Sequence, residues 1–195
     1  MNIEGVVLAA GYSSRAGTFK LELELNGKTV IEHCIGSLIE FCSRIIVVGG
    51  YQIEKVQALL AKYPQVEVVL NSKFDEGMFT SVKEGMRHIQ GDRFFFTPGD
   101  YPLISRDVCR SLLAVEGEIV IPVYRGRKGH PVLMSGSIAK ELLKEDDTSN
   151  LRDYIRCKGF KPLEVEYEGI LIDLDTRDDY KHILEKLKED GVNGR

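Results

Sequence analysis

The sequence predicts an α/β fold built on a mostly parallel sheet. Short apolar runs alternate with segments whose apolar residues recur at helical spacing. The runs are nearly continuous, as in strands buried on both faces. Glycine or proline closes several of them. Strands separated by helices pair in parallel through right-handed crossovers.

Residues 3–10 form the first run. From Thr29, the residues Val30, Ile31, Cys34, Ile35, Leu38, Ile39 and Cys42 share one helical stripe. Ile45-Ile46-Val47-Val48 is a second strand, ended by Gly49-Gly50. Val56, Leu59, Leu60 and Tyr63 mark a helix stopped at Pro64, and Val66 to Leu70 is a third strand. Phe79 to Ile89 reads as helix. Arg93 to Thr97 is a fourth strand, halted by Pro98-Gly99, and Ser105 caps a helix to about Ala114. Glu118 to Tyr124 and Lys128 to Met134 read as strands, and 135–160 as mainly helical. Two short strands follow, Leu163–Val165 and Ile170–Ile172. Asp178 to Leu187 is a closing amphipathic helix, with Tyr180, Ile183, Leu184 and Leu187 on one face. Residues 1–190 read as one domain and 191–195 as a frayed tail.

Composition narrows the function. The chain has 195 residues, 43% of them hydrophobic and 29% charged, enough for an ordinary globular core. A net charge of -4 leaves no basic footprint for nucleic acid. No apolar stretch approaches the ~20 residues that span a bilayer. No charged n-region precedes an apolar h-region, so a cytoplasmic protein is expected. Cys34, Cys42, Cys109 and Cys157 form no C-x-x-C pair and read as buried free thiols.

Ligands of such sheets bind beyond the carboxyl ends of the strands. The loops Leu8 to Lys20 and Asn71 to Phe79 and the turn Pro98 to Pro102 all follow strands, so they should converge on one edge. The first, Leu8 to Lys20, is rich in small residues and carries Arg15 and Lys20. Small residues let backbone N–H groups approach phosphate oxygens, and the two cations offset the charge. It is neither a Walker loop nor a G-x-G-x-x-G loop, since its glycines are Gly11 and Gly17 alone. Next, Gly99-Asp100-Tyr101-Pro102 follows the fourth strand, where a carboxylate can hold Mg²⁺ against a phosphate. Asp173 and Asp175 stand two apart, so on a strand they project to one side. A cation would offset their repulsion. Asp178 and Asp179 read instead as the acidic start of the last helix, capped by Thr176 or Asp178.

Taken whole, Leu8-Ala9-Ala10-Gly11, Ser13, Arg15, Gly17 and Lys20 stand in register with L-A-[AG]-G-x-S-x-R-M-G-x-x-K. The chain thereby resembles the nucleotidyltransferases of the molybdenum cofactor family. Gly99-Asp100-Tyr101-Pro102 is similar to that family's G-D-M-P, with Tyr101 in place of Met. The segment from Asp173 is similar to D-x-D-T-P-E-D-Y, with Arg177 in place of Pro. Asn71 with Glu76-Gly77-Met78-Phe79-Thr80-Ser81 resembles N-x(4)-E-G-M-x-x-S, although Ser81 also reads as a plain helix cap. Gly126 to Val132 resembles G-x-x-G-H-P-V, although Arg127 and Lys128 read as solvated charges of a hairpin turn. Glu145 to Arg152 departs from the usual G-D-x-G-A-R, a stretch that helps shape the acceptor pocket in that family.

The resemblance implies a three-layer α/β/α sandwich with a Rossmann-like sheet, of the nucleotide-diphospho-sugar transferase type. It implies transfer of CMP from CTP to the phosphate of molybdopterin, with release of pyrophosphate. Leu8, Ala9, Ala10, Gly11, Arg15, Lys20, Asn71, Ser81 and Gly99 would hold the nucleotide. Lys20, Arg15 and Asp100 would serve catalysis. Asp100 with Asp173 or Asp175 would bind Mg²⁺, and Gly129 and His130 would border the acceptor. The Ala9-Ala10-Gly11 form is usual in the cytidylyl branch, where the extra β-carbon disfavours a purine. Two other readings remain. One is a same-fold transferase using another NTP or another phosphorylated acceptor. The other is a carrier that hands the dinucleotide to a molybdenum hydroxylase, a recipient the enzyme itself would also contact transiently.

Overall fold

The computed structural model describes residues 1–11 and 19–193, with side chains through Lys188. Within these, ten strands and seven α-helices follow in order. They begin with β1 (Ile3–Ala9), the hairpin strands β2 (Glu24–Leu25) and β3 (Lys28–Thr29), α1 (Val30–Gly36), β4 (Arg44–Gly49), α2 (Ile53–Leu60) and β5 (Val66–Leu70). There follow α3 (Met78–His88), β6 (Arg93–Pro98), α4 (Arg106–Leu113), β7 (Ile119–Tyr124), β8 (Arg127–Lys128) and β9 (Val132–Ser135). The chain ends with α5 (Gly136–Leu142), α6 (Leu151–Lys158), β10 (Lys161–Glu164) and α7 (Arg177–Asn193).

The main sheet has the order β10-β7-β9-β6-β1-β4-β5, with β8 paired to β7. Only β9 and β8 run against the rest, so the sheet is mostly parallel as the sequence predicts. Alternate residues of each strand enter opposite cores. Val7, Ile45, Val47, Phe95, Val120 and Leu133 pack on one face against Ile31 and Ile35 of α1, Val56 of α2, Leu112 of α4 and Ile183 of α7. Val6, Ile46, Val48, Phe94, Phe96 and Met134 pack on the other against Met86 of α3, Ile138 of α5 and Ile155 of α6. Phe94 and Phe95 are fully buried on opposite faces. Each contributes about 1.5–3 kcal/mol of transfer free energy.

This layering positions the site. From β1 the chain builds outward through β4 and β5, with α1 and α2 on the first face. Then α3 crosses on the second face and returns it to the other side of β1 as β6. The crevice at such a reversal opens beyond the carboxyl ends of β1 and β6.

Several elements differ from the sequence reading. The helix from Val30 stops at Gly36, and its stripe continues in turns that still bury Leu38 and Cys42. The strand expected over Lys128–Met134 is two short strands, β8 and β9, with a cis His130–Pro131 peptide between them. The strand expected at Ile170–Ile172 is a 3₁₀ turn, Glu168–Leu171. Ile170 fills the core there, and its carbonyl accepts from His130 N at 2.9 Å in place of a strand ladder. Asp173 and Asp175 lie outside any strand, between the 3₁₀ turn and α7. The last helix continues past Leu187 to Asn193, and 194–195 lie outside the described residues. Cys34, Cys42 and Cys109 are buried free thiols, whereas Cys157 is exposed. Burial pushes the Cys109 thiol up to about 12, which keeps it unreactive.

Candidate active site

A cleft of about 540 Å³ opens where the crevice is expected. The end of β1 and the loop after it supply Leu8, Ala9, Ala10 and Gly11. Opposite them lie Lys20, Pro98, Asp100, Tyr101, Asp173 and Asp175. The turn after β6 is drawn close to β1, with Gly99 N donating to Leu8 O at 2.8 Å. A Cβ at Gly99 would stand 2.8 Å from Ile31 Cδ1 and 3.1 Å from Leu8 O, so glycine permits this approach. Gly99 thus sets the turn that presents Asp100, and its amide is already used.

The three carboxylates meet although 73 residues separate Asp100 from Asp173 in the chain (173 − 100). Leu174 N donates to Asp100 O at 2.9 Å. Leu174 itself is fully buried, while its two neighbours, Asp173 and Asp175, line the cleft. One oxygen from each of Asp100, Asp173 and Asp175 lies within 4.8 Å of the others. Asp179 steadies the segment from behind, accepting from Asp175 N at 3.1 Å and Thr176 N at 2.6 Å. Thr176 returns a bond from Asp179 N, so it is the cap of α7, one of the two residues the sequence allowed.

Lys20 starts a 3₁₀ turn, and its Nζ donates to Asp100 Oδ2 at 2.5 Å and to Asp175 Oδ1 at 2.9 Å. Burial pulls the ammonium down, but Asp100 and Asp175 outweigh it and hold its pKa above the usual lysine value. Burial, with Asp100 and Asp175 nearby, pushes the Asp173 carboxyl up. The other oxygen of Asp100, Oδ1, is buried and has no hydrogen-bond partner among the described residues. A buried carboxylate oxygen left so is costly unless something else meets it. Three hard oxygen donors and one unsatisfied oxygen fit a small divalent cation such as Mg²⁺.

A second cleft, of about 720 Å³, adjoins the first. It is lined by Gly129 and His130 together with Phe79, Val82, Phe96 and Ile121, and by the basic residues Lys128, Arg152 and Arg156. Gly129 packs against the 3₁₀ turn so closely that a Cβ there would lie 2.5 Å from Ile170 O. The His130 ring packs against Tyr101, tilted by 59°, at 4.6 Å between centroids. Burial pushes the His130 imidazole down to about 4, so it is neutral at physiological pH.

Of the residues singled out in the sequence, Leu8, Ala9, Ala10, Gly11, Lys20, Ser81, Asp100, Asp173 and Asp175 all line the first cleft. Gly129 and His130 line the second. Arg15 lies outside the described residues. Asn71 is buried and its amide is used internally, Nδ2 donating to Thr80 Oγ1 and Ser81 Oγ at 2.9 Å each. It braces the start of α3 beneath the cleft wall. Arg127 and Lys128 sit exposed on β8, after a turn with positive φ at Arg125 and Gly126, in keeping with the hairpin reading. Sequence reasoning passed over Met78, 73% exposed on the rim, and Tyr101, read only as packing. Arg152, the last residue of the stretch set against G-D-x-G-A-R in the sequence, lines both clefts.

The geometry agrees with what the chain is similar to. Residues 5–164 match the model of the MobA-like NTP transferase domain. The molybdenum cofactor cytidylyltransferase of Escherichia coli is 29% identical over 188 residues, covering 96% of this chain and 98% of that one. A probable molybdenum cofactor guanylyltransferase of Bacillus cereus is 28% identical over 160 residues, covering 78% and 80%. The structure of a nucleotidyl transferase from Methanothermobacter superposes with a TM-score of 0.84 at 27% identity, covering 96% of this chain and 98% of that one.

Proposed function

Because this chain belongs to the MobA-like NTP transferase family, we propose that it transfers CMP from CTP to the terminal phosphate of molybdopterin and releases pyrophosphate. The observation that carries this reading is the meeting of Lys20, Asp100, Asp173 and Asp175 opposite the Leu8–Gly11 wall. Nucleotide is assigned to this cleft and acceptor to the neighbouring one.

In-line attack by an acceptor phosphate oxygen forms a new bond to the α-phosphorus of CTP. The bond from that phosphorus to the pyrophosphate oxygen breaks, and pyrophosphate leaves. The attacking oxygen is already ionised, so no general base is required. Neutral, half-buried His130 suits a wall residue in this scheme. Positioning and electrostatics then dominate the rate. Backbone amides near Ala10 and Gly11 cradle the nucleotide, and Arg15 and Lys20 offset charge on the triphosphate. Asp100 with Asp173 and Asp175 would hold Mg²⁺, which when bound supplies positive charge against phosphate oxygens. Lys20 is already poised beside those carboxylates and is the residue best placed to turn toward the phosphates. Asn71 and Ser81 support the nucleotide side, Ser81 from the cleft wall and Asn71 from behind it.

The test is pyrophosphate release with Mg²⁺ and molybdopterin, supplying CTP, GTP, ATP and UTP separately. Release with CTP and a cytosine dinucleotide product is expected. Release with GTP alone would keep the reaction and overturn the base, an outcome the guanylyltransferase relatives make worth including. No release with any nucleotide would overturn the acceptor first.

A further inference from the structure

Lys20 and a divalent cation have the same partners in the first cleft. The Lys20 ammonium donates to Asp100 Oδ2 at 2.5 Å and to Asp175 Oδ1 at 2.9 Å. Those two residues, with Asp173, are also the carboxylates whose oxygens lie within 4.8 Å of one another. We propose that Lys20 gates the cation site. It competes with the divalent cation for Asp100 and Asp175, and it yields them when the phosphates of the nucleotide draw it away. This rests on the assignment of nucleotide to the first cleft and of the cation to the three carboxylates.

Charge sets the competition. The Lys20 and Asp100 side chains are only 16% and 18% exposed, so solvent ions screen them little. A dication on the same carboxylates stands close to the ammonium and is repelled by it. Withdrawal of Lys20 alone is also costly. It leaves acidic oxygens uncompensated and an ammonium in need of new acceptors. A triphosphate supplies the acceptors, and a divalent cation supplies the compensating charge. Each arrival removes the cost that opposes the other, so the two bind cooperatively.

The local structure suits such an exchange. Phe19 and Leu21, on either side of Lys20, are both buried. Glu22 N donates to Phe19 O at 3.1 Å, and Leu23 N to Lys20 O at 3.3 Å. The backbone is anchored, and only the side chain has to move. A flexible stem with a rotatable ammonium can pass from one set of oxygens to another, which a planar guanidinium does less readily. Asp100 Oδ1, without a hydrogen-bond partner among the described residues, can meet an incoming cation while Oδ2 still holds Lys20.

The experiment measures Mn²⁺ binding to the full chain by electron paramagnetic resonance, without nucleotide, in the parent, Lys20→Met and Lys20→Arg. Lys20→Met keeps the length of the side chain and drops its charge. It should bind Mn²⁺ about tenfold or more tightly than the parent, with Lys20→Arg within about threefold of the parent. Thermal unfolding gives a second readout, since Mn²⁺ should then raise the Tm of Lys20→Met more than that of the parent. Unchanged or weaker Mn²⁺ binding in Lys20→Met overturns the proposal. So does equal tightening in Lys20→Arg, which would trace the gain to altered packing and not to charge. With CTP added, water-proton relaxation separates protein-bound Mn²⁺ from Mn²⁺ on CTP alone, and equilibrium dialysis reports CTP binding. The parent should then hold Mn²⁺ about tenfold or more tightly than without CTP. Equal affinity with CTP bound overturns the gate alone. If CTP does not bind, the nucleotide assignment falls and the proposal with it. If Mn²⁺ binds to none of the three proteins, the cation assignment falls in the same way. No acceptor enters these measurements, so a wrong acceptor leaves their outcome unchanged.

Discussion

Glu4 and Asp100 lie at opposite ends of one pair of parallel strands, and they are treated in opposite ways. Glu4 stands near the start of β1, beside Phe94 of β6. It is 3% exposed and both its oxygens are satisfied. Oε1 accepts from Arg44 Nε at 3.1 Å, and Oε2 accepts from Gln90 N and Gly91 N at 2.7 Å each. Asp100 stands just past the end of β6, with one oxygen on Lys20 and the other on nothing described. The first carboxylate closes the amino-terminal edge of the sheet. The second leaves the carboxyl-terminal edge electrostatically incomplete, as expected where a ligand finishes the bonding.

The largest effect is expected at the closed edge. Glu4→Ala removes the acceptor of the buried Gly91 amide and the part-buried Gln90 amide, and one of the partners of Arg44, which keeps Glu67 at 3.1 Å. Each donor left without its acceptor costs about 1–3 kcal/mol. Denaturant unfolding should show that loss, while turnover per folded molecule stays near the parent's. A large fall in turnover with stability intact would erase the contrast between the two ends.

At the open edge the pattern should invert. Asp100→Ala and Lys20→Ala should each lower turnover at least ~100-fold, which is ~2.7 kcal/mol of transition-state stabilisation. Asp100→Ala should leave stability unchanged or raised, because it removes a buried oxygen with no described partner. Initial rates of pyrophosphate release beside thermal unfolding check both halves. Near-parent turnover in either variant would remove that residue from the mechanism.

A third carboxylate sharpens the rule. Glu32, at the start of α1, is buried, and burial alone would raise its pKa. Hydrogen bonds from Lys62, Thr29 and Tyr63 outweigh that and hold it down to about 2. Its folded value lies below the ordinary carboxylate value, so its stabilisation is present above about pH 4.5. That stabilisation is lost as the pH falls toward 2. The shift corresponds to about 3 kcal/mol. Screening of the largely exposed Lys62 brings it nearer about 2. Glu32→Gln should flatten the stability profile over that range in acid titrations followed by circular dichroism. An unflattened profile would mean that other groups carry the acid sensitivity.

How much of this was legible depends on how local the cause is. The strands of the first half were readable because each is an apolar run bounded by glycine, proline or polar residues. The incomplete edge was readable in part, since Asp100 follows a strand and Asp173 and Asp175 flank a single leucine. That the three meet is not a local fact. It depends on the Leu174 N to Asp100 O bond between distant segments. The misread strand at Ile170–Ile172 fails for the same reason, because the partner of Ile170 is His130, on another loop. Asn71 was assigned to the nucleotide from a motif, whereas its amide bonds to Thr80 and Ser81, which a motif cannot display.

The smallest expected effect tests whether the open edge also selects the base. Ala10 lines the first cleft, and it is only 7% exposed. A Cβ at Gly50 would lie 3.1 Å from the Ala10 methyl. That methyl therefore lies near the Gly50 backbone and has little slack behind it. Ala10→Gly removes one methyl and loosens the backbone at the same point. One methyl group discriminates between ligands by about 1–3 kcal/mol. A methyl that shows so little surface belongs at the low end, so GTP should gain on CTP by about tenfold or less in kcat/KM. A shift of that size would place part of the base preference on Ala10. An unchanged ratio would move the whole preference to other residues of the cleft, because the methyl would then only fill space between β1 and β4.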